Sequence, residues 1–167
     1  MLYYEITDFE VFVNYPSSQS SALRKLQSIF QRRGILLAYL FGSQQEEGKK
    51  FLAGKKFKSD SVSDLDIGLL LESRPKDMFN FYGSLYIELS HVFTPFSIDI
   101  VFLNEVNPLL RYDIISGKRI HVRDETFADD YEERVIRIAA DLAFKRRMFE
   151  EDFYEGIKNG HFEIEPS

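Results

Sequence analysis

The sequence contains neither cysteine nor tryptophan among its 167 residues. Without cysteine the chain can form no disulfide bond, thiolate metal site or cysteine nucleophile, which is compatible with a reducing cytoplasm. No apolar run approaches the roughly 20 residues of a membrane-spanning helix, and the N-terminal stretch MLYYEITDFEVF has acidic residues where a signal peptide has basic ones. We therefore expect a soluble cytoplasmic protein that does not bind membranes.

The sequence also lacks an excess of positive charge. Its 21 Lys and Arg residues are outnumbered by 27 Asp and Glu residues, and the formal net charge is −6. Binding to a nucleic-acid backbone depends on cationic side chains, so nucleic acid is not an expected partner. With 44% hydrophobic residues the chain is long enough to bury the core of one domain.

The hydrophobic patterns alternate between helical spacing and short apolar runs. Helical spacing occurs before Gly34, over a long segment after Pro75 and in a short segment ended by Gly117. Short apolar runs typical of strands are ILLAYLF, DLDIGLLL, SIDIVFL and RIHV. This order predicts an α+β domain in which helices pack on a mixed β-sheet.

A long helix is predicted from Thr126, where a Thr-x-x-Asp pattern is typical of a helix N-terminus. Its apolar positions follow nearly heptad spacing, broken at Lys145, and are Tyr131, Val135, Ile138, Leu142, Phe149 and Phe153. We divide the chain into a core at 1–125 and a C-terminal helical segment at 126–167. The helix packs either on the core or on a partner, which includes a second copy of the chain.

Three aspartates interrupt the predicted strands. Asp64 and Asp66 are two residues apart and so share one face of a strand. Asp99 stands between two isoleucines of a later strand and would join the pair if the strands are neighbours. Clustered carboxylates raise one another's pKa unless a cation neutralises them. Oxygen ligands without His or Cys suit Mg²⁺, and two such ions could serve phosphoryl or nucleotidyl transfer.

Gly42 and Ser43 end the strand that precedes Asp64. A Gly-Ser turn offers backbone N–H groups and a hydroxyl to phosphate oxygens. Each feature alone is weak, since an Asp-x-Asp also occurs in ordinary turns and a lone buried Asp99 could pair with Lys or Arg. The ordered combination of strand-Gly-Ser, Asp-x-Asp strand and a further strand with a central Asp is more specific.

This combination resembles the nucleotidyltransferase superfamily with a DNA polymerase β-like palm. The matching segments are LFGS at 40–43, SDLDIGLLL at 63–71 and IDIVFL at 98–103, and the likeness extends over about residues 20–158. The chain is similar to minimal nucleotidyltransferase (MNT) antitoxins, which are often encoded beside a HEPN-domain toxin. The resemblance implies a polymerase β-like fold and transfer of AMP from ATP to a tyrosine of that toxin.

Carried over by position, the resemblance implies a role for five residues. Gly42 and Ser43 would hold the triphosphate, and Asp64 and Asp66 would bind Mg²⁺. Asp99 would complete the metal site and help deprotonate the acceptor hydroxyl. Two alternatives stay open: the acceptor could be a small molecule such as an antibiotic, or the protein could be a non-catalytic antitoxin that acts by binding alone.

Residues 44–60 form an insertion, because the usual spacer between Gly-Ser and Asp-x-Asp is shorter. The segment QQEEGKKFLAGKKFKSD interleaves Phe51 and Phe57 with lysines, which are Lys49, Lys50, Lys55, Lys56 and Lys58. We expect a β-hairpin here. It either reaches over the nucleotide, a partner or RNA, as lysines and aromatic rings would allow, or it is only a solvated tip.

Overall fold

The computed structural model describes residues 21–59 and 63–159, so the acidic N-terminal stretch lies outside the described residues. Five helices and four strands alternate along this part of the chain. They are α1 Ser21–Arg33, β1 Ile35–Phe41, α2 Gln45–Leu52, β2 Leu65–Leu71, α3 Met78–Phe93, β3 Ile98–Phe102, α4 Pro108–Ile115, β4 Lys118–Val122 and α5 Glu125–Lys158.

The four strands form one sheet in the order β3-β2-β1-β4. β1 is antiparallel to both β2 and β4, whereas β2 and β3 are parallel. Parallel neighbours need a crossover connection, and α3 supplies it. The predicted α+β fold with a mixed sheet is confirmed.

Helices cover both faces of the sheet. On one face, α1, α2 and α3 pack over a core that includes Phe30, Leu40, Ile67 and Leu89. On the other face, α4 and the first part of α5 pack over a smaller core around Tyr39. Burial on both faces explains why β1 and β2 read as nearly continuous apolar runs rather than alternating ones.

The predicted β-hairpin in the insertion is wrong, because residues 45–52 form α2. Gly48 and Leu52 lie one turn apart and are both buried against the sheet. The missing side chain of Gly48 permits this approach, since a Cβ there would lie 2.7 Å from Cδ1 of Leu65. Beyond the helix, the Phe57 ring packs on Phe96 with centroids 5.3 Å apart. Much of the insertion is therefore anchored to the domain.

The N-terminus predicted for the long helix is wrong by two residues. Asp124, not Thr126, is the N-cap of α5, and its carboxylate accepts a hydrogen bond from the Phe127 amide at 2.8 Å. Pro75 likewise lies before the N-cap of α3, which is Asp77. Asp is as good an N-cap residue as Thr, because its carboxylate can accept a hydrogen bond from an amide of the first turn.

Only the first part of α5 packs on the domain. Ala128, Val135 and Ala139 are buried, whereas Phe149 and Tyr154 are each 70% exposed. The Tyr39 hydroxyl, inside the core, donates a 2.6 Å hydrogen bond to Oε1 of Glu132 and so fixes the helix to β1. In the part of the chain that the structure describes, no helix combines the length and hydropathy needed to cross a bilayer.

Candidate active site

Three strands bring the predicted acidic residues to one edge of the sheet. Because β1 runs antiparallel to β2, its C-terminal end lies beside the N-terminal ends of β2 and β3. Phe41 is opposite Asp66, and Asp66 is opposite Asp99. Asp64 directly precedes β2 rather than lying within it. The structure thus makes the strands of Asp66 and Asp99 neighbours, as the sequence pattern required.

The three carboxylates act on one another electrostatically. Burial raises the pKa of Asp66, and the negative charges of Asp99 and Asp64 raise it further. Asp66 is half-buried at the sheet edge, whereas Asp64 and Asp99 are exposed. A cation at this edge would relieve the repulsion, which is the usual way in which proteins tolerate clustered acids.

Gly42 is required by the conformation of the turn and by Asp66. Its φ of +71° lies in the left-handed region that favours glycine. A Cβ at this position would overlap the Asp66 carboxylate. Ser43 follows and is exposed, so its hydroxyl is available to a ligand. The Gly-Ser turn and the acidic pair therefore form adjoining parts of one site.

Gln44 joins the two ends of the insertion and was not singled out in the sequence. It is 5% exposed, and its Nε2 donates to the carbonyl oxygen of Ser63 at 3.5 Å. The contact connects the chain just after Ser43 to the chain just before Asp64. A polar residue next to a Gly-Ser turn is a weak signal, and only the fold shows that it is buried.

Lys118 lies at this edge, and Tyr82 of α3 is near enough for the charge of Asp99 to affect its pKa; sequence reasoning missed both residues. Lys118 begins β4 opposite Leu40, and its ammonium group pairs with Glu46 of α2 at 2.8 Å. The pKa of Tyr82, on α3, is raised by burial and by the charge of Asp99. Both residues come from elements whose place depends on strand order, so no local pattern identifies them.

The donor chemistry of the site fits Mg²⁺ better than a softer metal. Within residues 21–59 and 63–159, no three His, Cys, Asp or Glu side chains converge into a complete metal-binding group. Mg²⁺ does not need one, since it commonly takes one or two protein carboxylates and completes its shell with water and substrate phosphates. The side chains of Asp64, Asp66 and Asp99 carry carboxylate oxygens of this kind.

A sequence profile described as polymerase beta, nucleotidyltransferase matches residues 24–126. The chain belongs to this nucleotidyltransferase family. The match includes every strand and all of the predicted site residues, Gly42, Ser43, Asp64, Asp66 and Asp99, and it ends at the start of α5. No curated protein matches the sequence significantly.

Solved structures of toxin–antitoxin pairs share this nucleotidyltransferase fold. A toxin–antitoxin structure with AMP-PNP contains a chain that is 18% identical, with a TM-score of 0.57 over 79% of this chain and 98% of that chain. The structure of the tri-AMPylated HEPN toxin of Shewanella oneidensis in complex with MNT antitoxin contains a chain that is 17% identical to this one. The two chains superpose with a TM-score of 0.54 over 80% of this chain and 96% of that chain. At this identity the likeness shows the fold alone.

Proposed function

We propose that this nucleotidyltransferase transfers AMP from ATP to a tyrosine hydroxyl of a HEPN-domain toxin and thereby acts as its antitoxin. The observation that carries the proposal is the fit between Gly42 and Asp66, because the turn is shaped around the carboxylate beside it. The similar solved structures, one with AMP-PNP and one with a tri-AMPylated HEPN toxin, support the donor and the acceptor class.

The residues of the turn bind the triphosphate in this proposal. Backbone N–H groups at Gly42 and Ser43 and the Ser43 hydroxyl donate hydrogen bonds to phosphate oxygens. Lys118 of β4 is opposite Leu40, near the end of β1 where this turn begins, and contributes positive charge. Asp64, Asp66 and Asp99 would hold Mg²⁺, which would neutralise negative charge on the phosphates and on the three acids.

The reaction is an in-line displacement at the α-phosphorus of ATP. The tyrosine oxygen forms a bond to the α-phosphorus, the bond to the bridging oxygen breaks, and pyrophosphate leaves with that oxygen. In this proposal Asp99 takes the proton of the acceptor hydroxyl. Most of the rate acceleration then comes from positioning and charge stabilisation rather than from covalent chemistry by the protein.

A protein acceptor also explains the exposed part of α5. Ile138, Leu142, Phe149 and Phe153 continue the stripe of α5 that packs on the core, and each of them is at least 37% exposed. Aromatic and aliphatic side chains at such exposure are typical of surfaces that a partner covers. We propose that the HEPN toxin contacts this stripe.

Transfer can be tested with purified protein, Mg²⁺, α-labelled ATP and the product of the adjacent gene. We expect label on the partner, and we expect the Asp64→Asn, Asp66→Asn double variant to lose it with an unchanged circular dichroism spectrum. Asp113→Asn, an exposed acid on α4, is the matched control and should retain transfer. Persistent labelling by the double variant would refute the catalytic role of these acids.

The same experiment separates the alternatives. A partner that binds tightly but remains unlabelled would indicate a non-catalytic antitoxin. Label that appears on an added antibiotic and not on the partner would indicate a small-molecule acceptor. Both results would overturn the proposal of AMP transfer to a toxin.

A further inference from the structure

The second half of α5 carries apolar side chains on two opposite sides. Every residue from 140 to 155 is exposed, so within the described residues no side of this part of the helix is buried. One side continues the stripe that we assign to the HEPN toxin. Phe144 and Tyr154, which are 55% and 70% exposed, lie elsewhere on the helix. A helix with apolar residues on more than one side is typically packed on more than one side.

Six residues at alternating spacings of four and three form the other side, which we call the second face of α5. They are Ala140, Phe144, Arg147, Glu151, Tyr154 and Lys158. Such spacing stays on one side of a helix, because two turns take about seven residues. Phe149 belongs to the toxin stripe and follows Arg147 by two residues, which places it about 200° further round the helix. The two faces can therefore be covered at the same time.

The second face is complementary to itself when two copies of the helix run antiparallel. Centred on position 149, this arrangement places Phe144 opposite Tyr154 of the second copy and Arg147 opposite Glu151 of the second copy. Each contact occurs twice, because a two-fold axis relates the copies. A parallel arrangement would place Arg147 opposite Arg147 and Glu151 opposite Glu151, and like charges repel. The charges of the second face thus favour the antiparallel direction.

The neighbouring charges follow the same pattern. Residues 145–147 are all basic, and residues 150–152 are all acidic. In the antiparallel arrangement each basic block lies beside the acidic block of the second copy. This charge complementarity indicates that the partner of the second face is another α5.

Contacts within one copy leave Arg147 accessible to a second copy. Its guanidinium carbon lies 5.6 Å from the centre of the Phe144 ring, and its Nε lies 4.0 Å from Oε1 of Glu151. An exposed ion pair at this distance contributes little stability by itself. Antiparallel pairing adds an opposite charge at both residues. It also packs Phe144 against Tyr154, and removal of these rings from water drives the association.

We infer that the second face of α5 binds the same face of a second copy of this chain in an antiparallel helix pair. The inference is independent of AMP transfer. Because a helix rises about 1.5 Å per residue, the Val135 residues of the two copies would lie about 40 Å apart along the helix axes. Val135 is buried on the domain, so the two domains lie at opposite ends of the pair. Each domain keeps its toxin stripe exposed, and the dimer presents two toxin-binding surfaces.

Sedimentation equilibrium of the purified full chain without nucleotide tests the pairing. We expect a monomer–dimer equilibrium in the micromolar range, as is typical of a small interface. Tyr154→Ser should weaken dimerisation at least about tenfold, because both ring pairs are lost. Phe149→Ser is the matched control, since Phe149 is also 70% exposed on this part of α5 but lies on the toxin stripe. It should dimerise like the wild type.

Charge reversal tests the antiparallel direction and the register. Arg147→Glu alone and Glu151→Arg alone each place like charges opposite one another, so each variant should dimerise at least about tenfold more weakly than the wild type. An equimolar mixture of the two variants should restore dimerisation, because every reversed residue then faces an opposite charge. The like charges within each helix remain in the mixture, so only contacts between copies can account for the recovery. The double variant Arg147→Glu, Glu151→Arg, with opposite charges both within and between copies, should also dimerise.

The other outcomes would overturn the inference. A wild-type chain that stays monomeric at its highest soluble concentration, or equal weakening by Phe149→Ser, would show that the second face does not pair with itself. No recovery in the mixture of charge variants would exclude the antiparallel register. If Tyr154→Ser leaves dimerisation unchanged and weakens binding of the HEPN protein, the toxin covers the second face instead.

Discussion

Replacement of Gly42 by alanine should have two effects: backbone strain that lowers stability, and displacement of Asp66 that lowers AMP transfer. A residue other than glycine at the φ of +71° of Gly42 costs roughly 1–2 kcal/mol. For a domain of this size, each kcal/mol lowers Tm by about 2–4 °C, so we expect a decrease of about 2–8 °C. The added Cβ would also overlap the Asp66 carboxylate and displace it. We expect AMP transfer to fall at least about 100-fold, because small displacements of catalytic groups have effects of this size.

Two other glycines provide matched controls for the strain. Gly34 and Gly54 have φ of +67° and +66°, so alanine at either position carries a similar backbone cost. At Gly34 the nearest atom to the new Cβ would be Oε2 of Glu72 at 3.7 Å, and at Gly54 nothing lies within 4 Å. Gly34→Ala and Gly54→Ala should therefore lose comparable stability and retain AMP transfer.

Calorimetric melting and initial rates of labelling from ATP measure the two effects independently. The expected result is a similar decrease in Tm for all three variants and a loss of transfer in Gly42→Ala alone. If Gly42→Ala transfers AMP at the wild-type rate, the Gly-Ser turn is not shaped around a catalytic Asp66. If Gly34→Ala loses as much transfer as Gly42→Ala, the loss reflects general destabilisation.

Three further predictions concern the packing around the site. Tyr39→Phe removes the 2.6 Å hydrogen bond to Glu132 and should lower the free energy of unfolding in urea by about 1.5–3 kcal/mol, the range for bonds to charged groups; an unchanged value would show that the bond contributes no net stability. Burial lowers the pKa of His121, so the unfolded state takes up its proton first as pH falls below the ordinary value of about 6.5. Stability should therefore decrease as pH falls from about 7 to 5, His121→Gln should flatten this dependence, and equal slopes would exclude His121 as its source. Phe57→Ala removes the ring that packs on Phe96 and should accelerate trypsin cleavage after the exposed Lys56 with only a small change in Tm; unchanged cleavage would show that Phe57 does not hold this segment in place.

The convergence of the acids was predictable because it depends on connectivity. Each acid lies at or just before the start of its strand, and parallel strands joined by a crossover helix begin at the same edge. The exact register, Asp66 opposite Asp99, was not predictable. It depends on how α3 and its two connecting turns return the chain to the sheet, which the apolar pattern of a strand does not encode.

The insertion shows where local reasoning failed. Its two glycines and its lysines favour a turn, and its length favours a hairpin. The structure has α2 instead, because a glycine at position 48 lets the helix lie directly on Leu40 and Leu65. This contact joins residues that are distant in sequence. Tertiary packing thus overrides a weak local preference, as it commonly does for short helices.

Connectivity also explains why the insertion lies beside the candidate active site. β1 and β2 are consecutive antiparallel neighbours, so the chain between them must begin and end at one edge of the sheet. That edge carries Gly42 and Asp66. Gln44 bonds the two ends of the connection, and Glu46 of α2 pairs with Lys118 of β4. A longer connection therefore leaves strand order unchanged and alters the surface beside the proposed nucleotide site, while the proposed catalytic acids keep their places on β2 and β3.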